Sequence, residues 1–183
     1  AVGQQAGQAV TTGVQNTLIG GLAGDALTDA DFNIAIGTYA LTSDTLGSRS
    51  VAIGRSALAA QNFTSATNTY NVAVGHEAGQ AVTTGTNNTF VGGLAGDGTD
   101  DGQYNVAIGV SALSANCADS NTAIGNVALQ SATGSNATAV GMAAGLANTS
   151  GSNNLFLGHD AGRSGSPGGE ITTGSNEIVL GDG

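Results

Sequence analysis

Three acidic side chains in one short glycine-rich segment are the clearest candidates for metal chemistry in this sequence. Asp97, Asp100 and Asp101 lie within the six residues 97–102, together with two glycines. Carboxylate oxygens in a flexible turn suit Ca²⁺, but the spacing is shorter than that of an EF-hand loop and lacks its terminal glutamate. The alternative is a set of solvated turn residues. Asp97, Asp100 and Asp101 are therefore only weak calcium candidates, and we expect no cofactor.

Two histidines, each followed directly by an acid, occupy equivalent places. His76 precedes Glu77, His159 precedes Asp160, and each histidine follows a glycine. In a symmetric oligomer such a histidine could meet its copies on an axis and bind an ion or respond to pH; the alternative is an exposed polar residue. The chain has no Ser/His/Asp set in a strand-turn-helix context, no phosphate loop leading into a helix and no Cys/His metal spacing. We therefore expect no catalytic residues and no enzyme.

One repeated unit carries these residues. It reads as a polar residue, usually Asn, then x-[A/F/L]-[I/V/L]-G-x-x-A-[G/L], and it returns ten times. Most copies follow one another at 17 residues, with two steps of 16 and single steps of 21 and 23. A short period predicts one unit stacked on itself, so we expect residues 1–183 to form a single repeat domain. The anchor glycines are Gly3, Gly20, Gly37, Gly54, Gly75, Gly92, Gly109, Gly125, Gly141 and Gly158, with a degenerate copy at Gly181.

Each unit, here called a coil, predicts a short strand that ends at the anchor glycine. The residue before the glycine is always Ile, Val or Leu, and the one before that is also apolar, which is typical of a strand covered on both faces. Two short strands and two turns in about 17 residues predict an all-β, narrow parallel β-solenoid of ten or eleven coils. The glycine content and the lack of a 3.6-residue period exclude helices.

Inside the coil, size constraints are visible from the residue types. An alanine stands three residues after every anchor glycine, which predicts a site too tight for a larger side chain. In coils whose strand carries Leu18, Phe90 or Phe156, the residue after this alanine is Gly. In coils where the residue after the alanine is Leu, the strand carries Ala instead. We infer that these two positions compete for one interior space. The alanines are Ala6, Ala23, Ala40, Ala57, Ala78, Ala95, Ala112, Ala128, Ala144 and Ala161.

Two coils are longer than the rest and predict loop insertions at 59–70 and 163–168. Insertions in a solenoid lie in loops, which are favoured places for binding. Arg163, Ser164 and Ser166 are therefore candidate ligand-binding residues, and the alternative is tolerated variation in length. Cys117 stands alone, so it is expected to be a free thiol.

Composition excludes several partners. Three arginines and no lysine face thirteen acids, and the net charge is −10. Nucleic acid and anionic membranes both need clustered cations, so neither is an expected partner.

The sequence shows no signal peptide and no membrane-spanning run, and it begins within a repeat, which indicates a piece of a longer protein. Since a lone solenoid would leave one apolar strand face exposed, a homo-oligomer is the expected state.

The repeat N-x-A-[I/V]-G-x-x-A-[L/G] resembles the head repeat of trimeric autotransporter adhesins, the YadA-like head. The variant at Asn16–Gly24, Asn88–Gly96 and Asn154–Gly162, and the closing segment 175–183, are also similar to bacteriophage tail fibres. The resemblance implies a left-handed parallel β-roll packed as a homotrimer. The coil is longer than in most adhesin heads and so is closer to the fibre type.

Three functions are compatible with the sequence. The resemblance implies a non-enzymatic structural and adhesive fibre segment, outside the cell or on a virion, that displays loops to a cell-surface receptor or glycan. A self-assembling extracellular filament is the alternative. An ice-binding solenoid is a third, but the threonine pairs at 11–12, 83–84 and 172–173 recur in only some coils.

Overall fold

The computed structural model describes residues 1–181, so the last two residues of the closing segment 175–183 lie outside the described part. Residues 1–181 contain strands and turns but no helix, as the sequence predicts. The strands are β1 (Thr17–Ile19), β2 (Ile34–Ile36), β3 (Gly47–Ser48), β4 (Val51–Ile53), β5 (Thr67–Asn68), β6 (Val72–Val74), β7 (Thr89–Val91), β8 (Val106–Ile108), β9 (Thr122–Ile124), β10 (Thr138–Val140), β11 (Leu155–Leu157) and β12 (Ile178–Leu180).

Ten of these strands form one parallel sheet, to which each coil contributes one strand. The order is β1-β2-β4-β6-β7-β8-β9-β10-β11-β12, so every strand pairs with those of the coils before and after it. The register repeats the motif: Ala107 pairs with Ala123 and Ile108 with Ile124. A bridge from Val2 to Ile19 extends the ladder by one rung. The predicted parallel β-solenoid is confirmed.

The expectation of two strands in every coil was wrong. Most coils have one three-residue strand, and a second strand forms only where β3 pairs with β5. The reason is a series of left-handed residues, since a residue with φ near +60° turns the chain and cannot continue a strand. In one coil Asn87, Leu94 and Gly96 have φ of 60°, 58° and 61°. Backbone hydrogen bonds between coils continue through these turns, as from the Gly96 N–H to the Ala112 carbonyl (2.9 Å).

The anchor glycines form a column in which backbone lies directly on backbone. Gly92 has φ of 135°, a conformation open in practice only to glycine. A Cβ on Gly92 would lie 2.5 Å from the Gly109 carbonyl oxygen, and one on Gly109 would lie closer still to that of Gly125. The motif therefore needs glycine both for its dihedral angles and for the close approach of neighbouring coils.

The interior confirms the inferred competition for space. A Cβ on Gly96 would lie 2.5 Å from Phe90 Cδ1, and one on Gly79 would lie 2.9 Å from Phe90 Cδ2. Where the strand carries Ala107 instead, Leu113 fills the space and is fully buried. The repeated alanine is also fully buried, except for the partly buried Ala6 of the first coil.

Candidate functional site

The strand side chains that point out of the solenoid form an apolar surface along its whole length. We call the first and third residues of the ten strands in the large sheet the outer ribbon. They are Thr, Val, Ile or Leu in every strand, and none is charged. The middle residue of each strand is buried, whereas Ile108, Ile124 and Val140 of the ribbon are 40%, 38% and 40% exposed. Ten rungs at about 4.8 Å give a ribbon on the order of 45 Å long.

Side chains just after the anchor glycines widen the ribbon in places. Val110 and Met142 follow Gly109 and Gly141 directly, and both are about half exposed. Contiguous exposed apolar surface of this extent marks an interaction site on a folded protein. The sequence predicted an apolar outer strand face, and the structure shows that a single chain leaves it open.

A buried ladder of asparagines holds the outer ribbon in register from inside. The backbone N–H of Asn105 donates to Asn88 Oδ1 (2.9 Å), and that of Asn88 donates to Asn71 Oδ1 (2.9 Å). Asn88 Nδ2 donates to the Gly102 carbonyl (2.8 Å), so the Asn88 side chain makes two bonds to the coil that follows its own. Sequence reasoning missed this role, although the recurrence of Asn four residues before the anchor glycine was a visible signal.

Buried polar side chains connect the first long coil to the rest of the solenoid by hydrogen bonds. Asp44 accepts hydrogen bonds from Gln61 Nε2 (2.5 Å) and the Phe63 N–H (2.9 Å). Gln61 Nε2 also donates to Ser50 Oγ (2.8 Å), and Asn71 Nδ2 donates to Gln61 Oε1 (2.9 Å). Of the predicted insertion 59–70, residues 62, 64–66, 68 and 70 are exposed, while Phe63 is buried and β5 joins a sheet. The extra residues are therefore only partly a surface loop.

The calcium candidates are not brought together in a cluster of acidic side chains in the described part of the chain. Within residues 1–181 no group of three or more His, Cys, Asp or Glu side chains could hold a metal ion. Asp100 Oδ1 accepts a hydrogen bond from Thr83 Oγ1, and Asp101 is exposed. Burial raises the pKa of Asp97, whose buried Oδ1 has no hydrogen-bond partner among the described residues. The sequence could not show this, because spacing alone does not tell which way each carboxylate points.

The two histidine positions each belong to an exposed cluster with an arginine. Arg55 Nη1 lies 2.6 Å from Glu77 Oε1, and His76 Nε2 lies 3.6 Å from the same oxygen. His159 Nδ1 lies 3.5 Å from Asp160 Oδ2, whose carboxylate also pairs with Arg163 at 2.7 Å. These are solvated ion pairs, which contribute little to stability. An axial role for the histidines stays a prediction.

The second insertion folds back over the core. Ser166 is buried, and its Oγ accepts the Gly162 N–H at 3.4 Å. The equivalent N–H of Gly145 donates to an alanine carbonyl of the following coil, so the serine hydroxyl takes the place of that carbonyl. Gly168 lies against Val179, which is buried. Of the ligand-binding candidates, Arg163 and Ser164 are exposed, but Ser166 faces inward and serves the fold.

A row of large exposed side chains was missed in the sequence. Phe32, Arg49, Tyr70 and Tyr104 each stand five residues before an anchor glycine, and all four are exposed. The Arg49 guanidinium lies over the Phe32 ring, 4.7 Å from its centroid. The signal was available only by counting from the anchor glycine, because the unequal coil lengths hide the period.

The described residues contain no pocket and no helix long and apolar enough to cross a membrane. Fold and surface together define a narrow parallel β-solenoid whose exposed side chains form long rows. Comparison with family models, with curated proteins and with solved structures finds no match. The geometry of the chain itself therefore has to indicate its function.

Proposed function

We propose that this chain is a non-enzymatic, structural and adhesive segment of an extracellular fibre, in which three copies pack side by side through their outer ribbons. The observation that carries the proposal is the ribbon itself: about 45 Å of paired Thr, Val, Ile and Leu side chains without a charge. Burying this face against other copies removes it from water at about 25 cal/mol per Å². The number three comes from the resemblance to the trimeric head repeat.

The shape of the chain supports a role in display. A stack of near-identical coils is stiff, and three of them in parallel would present each surface feature three times at one height. Weak contacts repeated in this way add up to strong attachment, since every contact after the first is intramolecular. The surface features available for display are the exposed loop residues 64–66 and the exposed residues Arg163 and Ser164.

The threonine side chains count against an ice-binding function. Thr11 Oγ1 donates to the Thr28 carbonyl (3.2 Å), and Thr28 Oγ1 donates to the Thr45 carbonyl (3.1 Å). Thr83 Oγ1 donates to Asp100 Oδ1. Hydroxyl groups already bonded to the next coil are poorly placed to order water on a flat face.

Attachment to cells by intact and monomeric protein tests this proposal. The variant Ile108→Glu/Val140→Glu puts two charges on the outer ribbon, two rungs apart, and leaves the interior unchanged. We expect the wild type to bind cells or immobilised surface glycans at least 100-fold more tightly than the variant, because avidity is lost with the trimer. Equal binding by the two proteins, with the variant shown to be monomeric, would contradict multivalent display.

A second variant tests whether the insertion at 163–168 contacts the cell-surface ligand. Deleting residues 163–168 would uncover Val179, so we prefer Arg163→Ser/Ser164→Gly, which changes only exposed side chains. Reduced attachment with unchanged melting would assign ligand contact to this loop. Unchanged attachment would show that the loop serves only to cover the core.

A further inference from the structure

Five residues in successive coils form a continuous row on one side of the solenoid, and all of them except the partly buried Asn87 are exposed. We call Phe32, Arg49, Tyr70, Asn87 and Tyr104 the aromatic row; each stands five residues before its anchor glycine. Backbone hydrogen bonds keep them in step, as from the Asn87 N–H to the Thr69 carbonyl (2.8 Å) and from the Tyr104 N–H to the Thr86 carbonyl (3.1 Å). The row therefore rises by one rung, about 4.8 Å, for each residue.

The aromatic rings in this row are large, exposed and evenly spaced. Phe32, Tyr70 and Tyr104 are 42%, 52% and 59% exposed. Two rungs separate each ring from the next, so the rings recur at about 10 Å. Only one other exposed aromatic residue, Tyr39, occurs among residues 1–181, and it lies off the row.

These rings occupy a backbone position that favours other residues. Phe32, Tyr70 and Tyr104 have φ of 60°, 51° and 58°, which is unfavourable for bulky side chains. In four other coils the same place is held by Asn, the residue that best tolerates this conformation after glycine. The residues are Asn87, Asn136, Asn153 and Asn176. Neither the core nor the backbone requires an aromatic side chain here, so the rings point to contact with something outside the chain.

Arg49 gives the row a positive charge that no carboxylate of the described residues neutralises. Arg55 and Arg163 each pair with an acid, whereas the guanidinium of Arg49 lies over Phe32 and donates from Nε to Asn68 Oδ1 (3.0 Å). Its terminal amino groups remain available to an anion. Aromatic and arginine side chains are also the residues that contribute most to binding at interfaces.

The form of the surface selects the class of ligand. A straight row without a pocket among the described residues cannot enclose a small molecule, so its ligand must be extended and must repeat at a comparable distance. A nucleic acid carries a phosphate at every nucleotide, whereas Arg49 is the one cationic side chain in the row, so a nucleic acid is excluded. A peptide strand would need free backbone groups, but the N–H groups of Asn87 and Tyr104 already bond the preceding coil. A polysaccharide fits, because pyranose rings have apolar faces that stack on aromatic rings and a disaccharide has about this length.

We propose that the aromatic row is a track for an extended acidic glycan, with sugar rings stacked on Tyr70 and Tyr104 and an anionic substituent bound by Arg49, which lies over Phe32. This inference deepens the proposed adhesive function and rests on it. In a trimer the row would occur three times.

The test is binding of wild-type and variant chains to an array of immobilised polysaccharides. The array holds uronic-acid, sialic-acid and neutral chains, and the double variant Tyr70→Asn/Tyr104→Asn adopts the residue found at this place in other coils. We expect the wild type to bind acidic chains and the double variant to bind them at least tenfold more weakly, with equal mass and an equal or higher melting temperature. Arg49→Gln, which copies Gln15 of an earlier coil, should remove the preference for acidic over neutral chains.

Tyr39→Ser supplies the matched control, because Tyr39 is 42% exposed and has the same left-handed backbone (φ 61°) but lies off the row. It should bind as the wild type does. The proposal is overturned if the wild type binds no acidic chain, if the double variant binds as well as the wild type, or if the double variant changes mass, which would place the row in the contact between copies. Binding that survives in the double variant but disappears in the monomeric ribbon variant would keep the adhesive function and reject the track.

Discussion

The two faces of each strand differ in what they need from the rest of the molecule. The middle residue, such as Ala107, is fully buried against the interior of its own chain. The residues on either side, Val106 and Ile108, are just as apolar but remain partly or largely exposed. One chain therefore buries the inner face completely and the outer face only in part. The folding stability of one chain and the assembly of several chains should then respond to different substitutions.

Substitutions in the column of anchor glycines should lower the stability of the folded chain most. In Gly92→Val the new side chain meets the Gly109 carbonyl at 2.5 Å and requires a φ of 135°, so we expect loss of the folded state. Gly93→Ala is the control, because a Cβ there meets nothing closer than 4.0 Å. Circular dichroism during urea unfolding should show a normal transition for Gly93→Ala and none for Gly92→Val. A normal transition in Gly92→Val would show that the coils can separate locally.

Removal of a large core side chain should come next in effect. Phe90→Ala empties the space shared with Gly79 and Gly96 and should cost about 3–5 kcal/mol of unfolding free energy. The double variant Phe90→Ala/Gly96→Leu copies the coil that has Ala107 and Leu113, so it should recover part of that loss. Urea denaturation of both variants measures the difference. If the added leucine makes the loss larger, the two positions do not share one space.

The asparagine ladder should show a smaller and graded effect. Asn88→Ala leaves the Asn105 N–H and the Gly102 carbonyl without their partners, at about 1–3 kcal/mol for each buried group. Asn105→Ala should cost less, because Asn105 Nδ2 has no partner among the described residues and only the bond from the Asn121 N–H is lost. Thermal unfolding of the two variants compares them directly. A larger loss for Asn105→Ala would reject this ranking.

The smallest effect is expected at Asp97, a partly buried turn residue outside the strands. Burial raises its pKa in the folded chain, so the ionised carboxylate opposes folding above that pKa and protonation on acidification relieves the cost. Asp97→Asn should therefore raise the midpoint of thermal unfolding at neutral pH by on the order of 2 °C. The gain over wild type should shrink as the pH falls toward the ordinary range of aspartate. A gain that does not depend on pH would point to packing instead of charge.

The inner face could be predicted from sequence because its constraints act on single residue types. Three of these constraints recur from coil to coil in the sequence: the anchor glycine, the tightly packed alanine, and the pairing of a large strand residue such as Phe90 with a glycine such as Gly96. The number of strands per coil was not predictable, because Leu, Tyr and Ser take left-handed conformations that the sequence signals only for glycine. The directions of Asp97 and Ser166 depend on contacts between coils and loops. The aromatic row could have been predicted from the sequence, but only by numbering the residues of each coil from its anchor glycine.

The mass of the chain in solution shows directly whether the outer ribbon is an interface between copies. Light scattering on the wild type and on Ile108→Glu/Val140→Glu should be combined with circular dichroism of both. We expect the wild type at three times 17.6 kDa, and the variant at 17.6 kDa with the same spectrum. A wild type that scatters as a single chain of 17.6 kDa would show that the outer ribbon does not join copies of the chain.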